Sequence, residues 1–331
     1  MSRLPEPFVS LIINGVDAGS ELAPHLLSFE WTDHLHGKAD EIAVKLQDAA
    51  GLWRGPWRPE RGDVVVASIG YRGGPVMPCG TYEVDVPRAS GSRSGDVLEF
   101  RATSAYQSRA LKTRRPKEYE RKKLRTIIEE VAARNGYAVS GKIRDVFFAY
   151  KRQRRERDLA FIRRLAEDYG HFVSLKHGKL VFYLREELEQ AAPVRVFELA
   201  AGTMITEWEA QEQADKIYSK ATVKYLDPDR KKTVEARAED PRARTGDELK
   251  IDERVENRAQ AEALAKGRLK KANEDRRTAR LALVGDPLLC AGQKVALGAG
   301  FGKYAGEYLI HVARHRIERA NYTTQIELKG V

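Results

Sequence analysis

The chain has 331 residues, a formal charge of +10 and 42% hydrophobic residues, which is more than one core usually serves and points to two or three domains. No apolar stretch approaches the roughly 20 residues of a membrane-spanning helix, and residues 1–6 lead into no signal-like apolar segment, so a soluble protein made in the cytoplasm, with no membrane anchor, is expected. Cys79 and Cys290 lie far apart and imply neither a disulfide framework nor a zinc knuckle.

The first 105 residues read as β. Residues 8–13 form a short apolar run that ends at Asn14-Gly15, a two-residue hairpin signal. Strands are predicted again around residues 29–31, 43–46, 62–69, 80–86 and 96–103, with residues 89–95 as a Gly/Ser-rich loop. Short strands at this spacing favour a small barrel or sandwich. From about residue 106 the period changes. Leu124, Ile127, Ile128, Val131 and Ala132 recur at helical spacing and stop at Asn135-Gly136. A second helix is predicted over 158–169, with Leu159, Ile162, Leu165 and Ala166 buried, Arg163 and Arg164 facing away, and Gly170 ending it. Residues 172–175 and 180–183 then flank a turn as a hairpin. From about 191 strands return at 220–226 and 279–284, interrupted by a helix near 257–273. The closing strands carry Val295 and Leu297, then Tyr308, Ile310 and Val312, then Thr324, Ile326 and Leu328, with glycines at the joints.

The expected class is therefore α+β, mainly β: two small antiparallel barrel-like domains, 1–105 and 191–331, with a mixed α+β insertion over 106–190. No repeat between the two β modules is visible in the sequence, so any duplication has diverged.

The charge is concentrated. Residues 101–164 hold twenty Lys and Arg against seven Asp and Glu, leaving the rest of the chain slightly acidic. Such a patch speaks to partners rather than fold. The run from Lys112 to Lys123 and the cluster Lys151, Arg152, Arg154 and Arg155 are interleaved with Tyr106, Tyr119, Phe147, Phe148 and Tyr150, a pattern compatible with a nucleic-acid backbone and stacked bases. No nucleic-acid motif accompanies them and acids dilute the patch, so a basic face for acidic protein neighbours is preferred and direct nucleic-acid binding is not expected. Arg152, Arg154 and Arg155 are candidate interface residues. So are Trp53, Arg54, Trp57 and Arg58, in a loop whose indoles and guanidinium groups suit either a binding hot spot or a cap over a barrel end.

Chemistry is harder to find. In residues 298–303 the Gly-Lys pair has Leu297 where a phosphate loop needs glycine and Tyr304 where it needs a hydroxyl ligand, and a strand follows. His311 and His315 on a strand lie roughly 13 Å apart, too far for one ion. His34 and His36, with Asp33 and Asp40 nearby, lack a second ligand cluster. Glu207 and Glu209 beside Trp208, and Glu167 beside Asp168, read as solvated carboxylates rather than a hydrolase pair. No catalytic, cofactor or metal site is expected.

Residues 156–170 carry an acid-x-acid start followed by an aromatic-aliphatic and Arg-Leu-Ala helix, Gly178 to Phe182 form the following hairpin, and Gly285-Asp286-Pro287 leads to Tyr322-Thr323-Thr324. In this order the elements resemble the late control protein D family, the central tail hub of contractile-tailed bacteriophages, similar in fold to the base of type VI secretion spike proteins. The resemblance implies a non-enzymatic homotrimer in the virion tail baseplate, assembled in the host cytoplasm. Its two barrel-like domains per subunit would join a sixfold tail tube to a threefold spike around a channel. Partners implied are the tail spike protein, a tail tube or tube-initiator protein, and baseplate and tape-measure proteins. Two other readings are a nucleic-acid-binding protein using residues 101–164 and a tail-associated cell-wall hydrolase.

Overall fold

A computed structural model describes residues 6–104, 114–200, 203–213, 215, 217–227, 232–243, 245–253, 255–319 and 321–331. The chain is mainly β with a few helices, as the alternation of its apolar residues predicts. Pro7–Ile13 turns back at Asn14 and Gly15, both at positive φ, into Val16–Asp17. Leu26–His34, Glu41–Gln47, Gly95–Thr103, Val76–Ser92, Val64–Tyr71 and Pro7–Ile13 then lie side by side in that order. Their inward residues, among them Leu11, Phe29, Ile42, Val44, Val65, Tyr82 and Phe100, meet in one core. Residues 89–92, expected as loop, continue the strand Val76–Ser92, paired as Ala89 with Leu98 and Ser92 with Gly95. The misreading has a physical reason: these residues are exposed and carry no apolar alternation.

The end of the chain repeats this arrangement. Ile205–Glu212, Arg277–Val284, Asn321–Gly330, Gly306–Glu318 and Lys294–Leu297 lie in order, with Arg195–Phe197 parallel on the last. They enclose a second core containing Leu281, Leu283, Val295, Leu297, Tyr308, Ile310 and Ile326. The correspondence extends to the irregularities. The ladder against Gly95–Thr103 shifts between Val84 and Val86, and the ladder against Asn321–Gly330 shifts between Ile310 and Val312. The first strands shift between Leu26 and Ser28 in one unit and between Ile205 and Glu207 in the other. Each bulge inserts one residue and increases the local twist, so matched bulges bend the two units alike.

The two units share one sheet of thirteen strands. Gly306–Glu318 makes the join: its first half pairs with Lys294–Leu297, and along the same edge its second half, Val312 to Ile317, pairs with His34 to Phe29.

Two mixed insertions interrupt the β units. In the first, Arg114–Lys123 pairs with Phe147–Arg157, and Leu124–Arg134 and Asp158–Asp168 pack with Ala138–Gly141, His171–Lys176 and Lys179–Leu184. Both helices stop where the sequence places them, before Gly136 and Gly170 at positive φ. Phe161 joins Ile162, Leu165 and Ala166 in the core, Leu159 is only half-buried, and Arg164 lies half-buried against Glu156 rather than facing away. The basic runs, left without an element by sequence reasoning, form the paired ribbon. Among its described side chains Tyr119, Phe148 and the polar Gln153 are the ones that point inward from it, too little apolar alternation to read as strands. In the second insertion, Lys220–Asp227, Lys232–Glu239 and Glu248–Ile251 form a small sheet under Arg258–Ala272. That helix covers its own sheet rather than the closing barrel. Gly267 lets it approach Asp158–Asp168 so closely that an added Cβ would lie 2.4 Å from the Asp168 carbonyl oxygen.

Candidate assembly surfaces

Where the first insertion meets the β units, charges are buried. Lys176 Nζ bonds to Asp33 and, at 3.2 Å, to Asp40. Asp40 accepts from the His34 amide at 2.9 Å and Asp33 from the Ala291 amide at 2.8 Å. Burial pushes the Asp40 carboxyl up to about 7 against the pull of Lys176. Nearby, Glu274 bonds to Arg185 and, at 3.1 Å, to Lys329; although burial opposes it, these cations hold its carboxyl well below the usual range. His36 accepts from the Val173 amide at 2.9 Å and its other nitrogen meets Glu167 at 2.9 Å. These contacts tie the first insertion to the end of Leu26–His34 and the loop after it and, through Glu274, to Lys329 of Asn321–Gly330.

His36 and His315 hold structural contacts. His315 is fully buried, stacked on Trp31 with ring centres 5.0 Å apart and bonded to Tyr322 Oη and the Leu289 carbonyl, each at 2.9 Å; burial lowers its pKa to about 4. Among the described residues no three His, Cys, Asp or Glu come together to hold a metal, both cysteines are free, and no helix is long and apolar enough to cross a membrane. The segment Ala299–Tyr304 is 3-10 turns leading into a strand, so no helix start faces a phosphate there.

The tryptophan loop divides. Trp53 is 4% exposed and plugs the first core, its ring edge-on to Trp57 at 5.5 Å. Asp48 fixes the loop by accepting from the Trp53 and Arg54 amides at 2.9 and 3.1 Å, and Arg54 pairs with Asp96. A side chain so enclosed cannot meet a partner, so Trp53 belongs to the core, and the loop presents Trp57, 42% exposed, Arg58, and Arg54, which is exposed although paired with Asp96. On the basic ribbon Arg152 lies across from Glu118 at 3.4 Å. Arg154 and Arg155 occupy a bulge between Gln153 and Glu156, with Arg155 at φ 45°, which lifts both into solvent. The loop and the ribbon belong to different cores. Tyr106 and Lys112 lie outside the described residues.

Two surfaces escaped sequence reasoning. Among the described residues Ile205–Glu212 pairs with a neighbour on one side only, and it carries exposed Glu207, Trp208 and Glu209 along its length. Among the described residues, 86–92 also have a single partner, Gly95–Thr103, because Val64–Tyr71 departs after Glu83. Unpaired strand edges are templates for another chain. Alternating charge around Trp208 was the available signal, read as solvated carboxylates.

Residues 63–321 match the family described as phage tail baseplate hub (GPD). The chain belongs to that family. The chain is 31% identical over 178 residues to the probable baseplate hub protein of Escherichia phage P2; the matched stretch is 53% of this chain and 45% of that protein, so the match spans less than half the length of this relative. In fold it resembles a tail protein from Neisseria meningitidis MC58, with a TM-score of 0.72 at 14% identity over 98% of this chain and 96% of that one. It also resembles an E. coli component of the type VI secretion system, described as similar to T4 tail proteins gp27 and gp5, with a TM-score of 0.61 at 11% identity over 93% and 74% of the two chains.

Proposed function

We propose that this hub is a non-catalytic homotrimeric adaptor in the tail baseplate, joining a sixfold tail tube to a threefold spike around a channel. The observation that supports it most is the duplicated β unit, with the same strand order and matching bulges at both ends of one chain. Three copies of such a chain present six similar units and still have threefold symmetry, which is what a junction between a sixfold and a threefold assembly requires. The P2 relative is a probable baseplate hub and the E. coli relative a type VI secretion component, which favours the tail spike and the tube or tube-initiator protein as partners, with baseplate and tape-measure proteins around them. In this reading the barrel-like domains 1–105 and 191–331 form the ring, and 106–190 faces outward with Arg152, Arg154 and Arg155, as the loop does with Trp57 and Arg58.

Nucleic acid is the weaker reading, because Lys117, Lys123, Lys151, Arg152 and Arg164 of the basic region already pair with Glu130, Asp145, Glu253, Glu118 and Glu156. Light scattering after size exclusion, on the protein alone and with the neighbouring spike gene product, tests the proposal. A threefold mass is expected in at least one sample; a monomer that ignores the spike and binds DNA with a steep salt dependence would overturn it.

A further inference from the structure

Between the two insertions and the closing strands lies a cavity of about 170 Å³. Its walls come from three places. They are the short helix Arg185–Gln190 of the first insertion, the turn after Lys232–Glu239 with the end of Arg258–Ala272 in the second, and Leu309, His311 and residues 329–331 of the closing strands. Phe172, Leu269 and Leu309 supply apolar surface. The rest is rich in cations: Arg185, Arg242, Lys266, Lys270, Arg276 and Lys329 all line it.

Most of these charges are paired. Arg185 and Lys329 hold Glu274, Lys270 holds Glu189, and Lys266 holds Glu186 at the surface. Arg276 differs. Its side chain is 16% exposed and donates no hydrogen bond among the described residues, and its Nη1 lies 3.9 Å from Asp240, outside bonding distance. A guanidinium carries five N–H donors, and burying them without acceptors is costly. Burial, with Arg242 nearby, holds its pKa below the usual range.

Asp240 does not meet this need because it is engaged elsewhere. It accepts from the Arg242 amide at 3.1 Å, from Arg242 Nε at 3.2 Å and from Asn273 Nδ2 at 3.0 Å. Asn273 is itself fixed, donating to the Tyr218 carbonyl at 2.8 Å and accepting from the Tyr218 amide at 2.9 Å. Arg242 engages only its Nε in this way, and neither of its terminal nitrogens has a partner among the described residues. Two guanidinium groups thus flank one carboxylate on a pinned turn, each with donors left over.

We propose that this cavity binds a small oxyanion of the phosphate class, held by Arg276 and Arg242, with Lys266 and Lys270 adding to the field. Guanidinium forks match both carboxylate and phosphate. Two forks and two ammonium groups favour phosphate, a dianion with oxygens on every side, over a monocarboxylate, whose two oxygens share one side. The volume is below that of a site for a drug-sized ligand, which excludes a polynucleotide or a folded loop as occupant. Arg276 immediately precedes Arg277–Val284, so the bound anion ties the second insertion to the strands that close the chain.

Isothermal calorimetry of the full chain with inorganic phosphate, against sodium chloride of matched ionic strength, is expected to show one saturable site per chain. Thermal melts add a sign that a merely structural arginine would not give. Without phosphate, Arg276→Met is expected to melt at or above the wild-type temperature, because an unsatisfied buried charge has gone. In about 10 mM phosphate the wild type gains stability and the variant gains little, so the order reverses. Arg242→Gln, at an exposed position, keeps the test open if the first variant fails to fold; it is expected to weaken phosphate binding about tenfold, the worth of one charge-assisted hydrogen bond. An Arg276→Met protein destabilised equally with and without phosphate would make Arg276 a structural partner of Asp240 and overturn the proposal. So would a wild type with no saturable heat, or binding that neither variant weakens.

Discussion

Lys176→Met removes the cation shared by Asp33 and Asp40 while keeping most of the stem that fills the site. Lys176 is 17% exposed at its side chain, Asp33 3% and Asp40 5%, so solvent cannot take over its role. Breaking a buried ion pair by deleting one partner costs about 3–5 kcal/mol, because the other charge stays buried and uncompensated. The protein has one escape: the folded variant can retain one proton more than wild type on the two carboxylates. Against an ordinary aspartate pKa of 3.8, holding that proton costs about 1.4 kcal/mol for each pH unit above it, or about 4 kcal/mol at pH 7 and about 2 at pH 5. The sign follows from linkage. Between pH 3.8 and 7 the folded variant binds a proton that the unfolded chain has released, so lowering the pH favours the fold and narrows the gap to wild type. Urea unfolding followed by tryptophan fluorescence, on both proteins at pH 7 and pH 5, measures the two differences. A loss under about 1 kcal/mol at pH 7, or an equal loss at both pH values, would refute the account of Lys176 as the buried counter-charge of this pair.

Trp53→Ala should cost about 3–5 kcal/mol by emptying the first core, whereas Trp57→Ala should change stability by under about 1 and act, if the loop is an interface, on partner binding measured by calorimetry. Gly267→Ala should destabilise although alanine is the better helix former by about 1 kcal/mol, because its Cβ would meet the Asp168 carbonyl oxygen at 2.4 Å; a raised melting temperature would contradict the close approach of the two helices. Acid should weaken the fold between pH 6.5 and about 4, because His34, His171 and His315 stay neutral when folded while the unfolded chain takes up protons; His315→Gln should flatten that slope by up to about 1.4 kcal/mol per pH unit in urea titrations.

Much of the fold was legible because strands and helices leave periodic marks. Ile42, Val44 and Leu46 alternate as Ala279, Leu281 and Leu283 do, and each triple is buried. What the sequence hides is that these triples are the same strand twice. A barrel interior asks only for apolar bulk of the right total volume, so Leu98, Phe100 and Ala102 can stand where the other unit has Thr324, Ile326 and Leu328. The second unit is further disguised by an insertion placed between its first two strands. The junction was hidden for a different reason. Beyond Trp31, Leu26–His34, the partner of Gly306–Glu318 across the junction, continues through Thr32, Asp33 and His34, which are buried but polar and so end the apolar signal. The candidate arginines were legible as a cluster; the bulge that exposes Arg154 and Arg155 depends on Gln153 bonding to the Glu156 carbonyl and Asp158, contacts that exist only once the ribbon and helix have met.

The way the units are joined bears on the ring proposed above. Two domains connected by a loop would be free to rotate, and each rotation would alter the angle that sets how many units close a ring. Here one strand, Gly306–Glu318, is built into both cores: Ile310 lies in the second and Ile317 in the first. To change the angle between units, the ladder from Val312 to Ile317 would have to break or slip, and a slip of one residue would turn His315 and Ile317 out of the interior. The shift at His311 lies where the strand passes from one partner to the other, and Phe172 packs edge-on against His311 with ring centres 5.4 Å apart. Arg185 lies over the Phe172 ring, 4.5 Å from its centre, and pairs with the buried Glu274. The insertion therefore braces the bend from outside the sheet. Loosening that brace, rather than either barrel, is the change expected to let the units vary in angle and so to produce rings of mixed size, visible by negative-stain microscopy of Arg185→Ala; a uniform ring population in that variant would locate the stiffness in the shared strand alone.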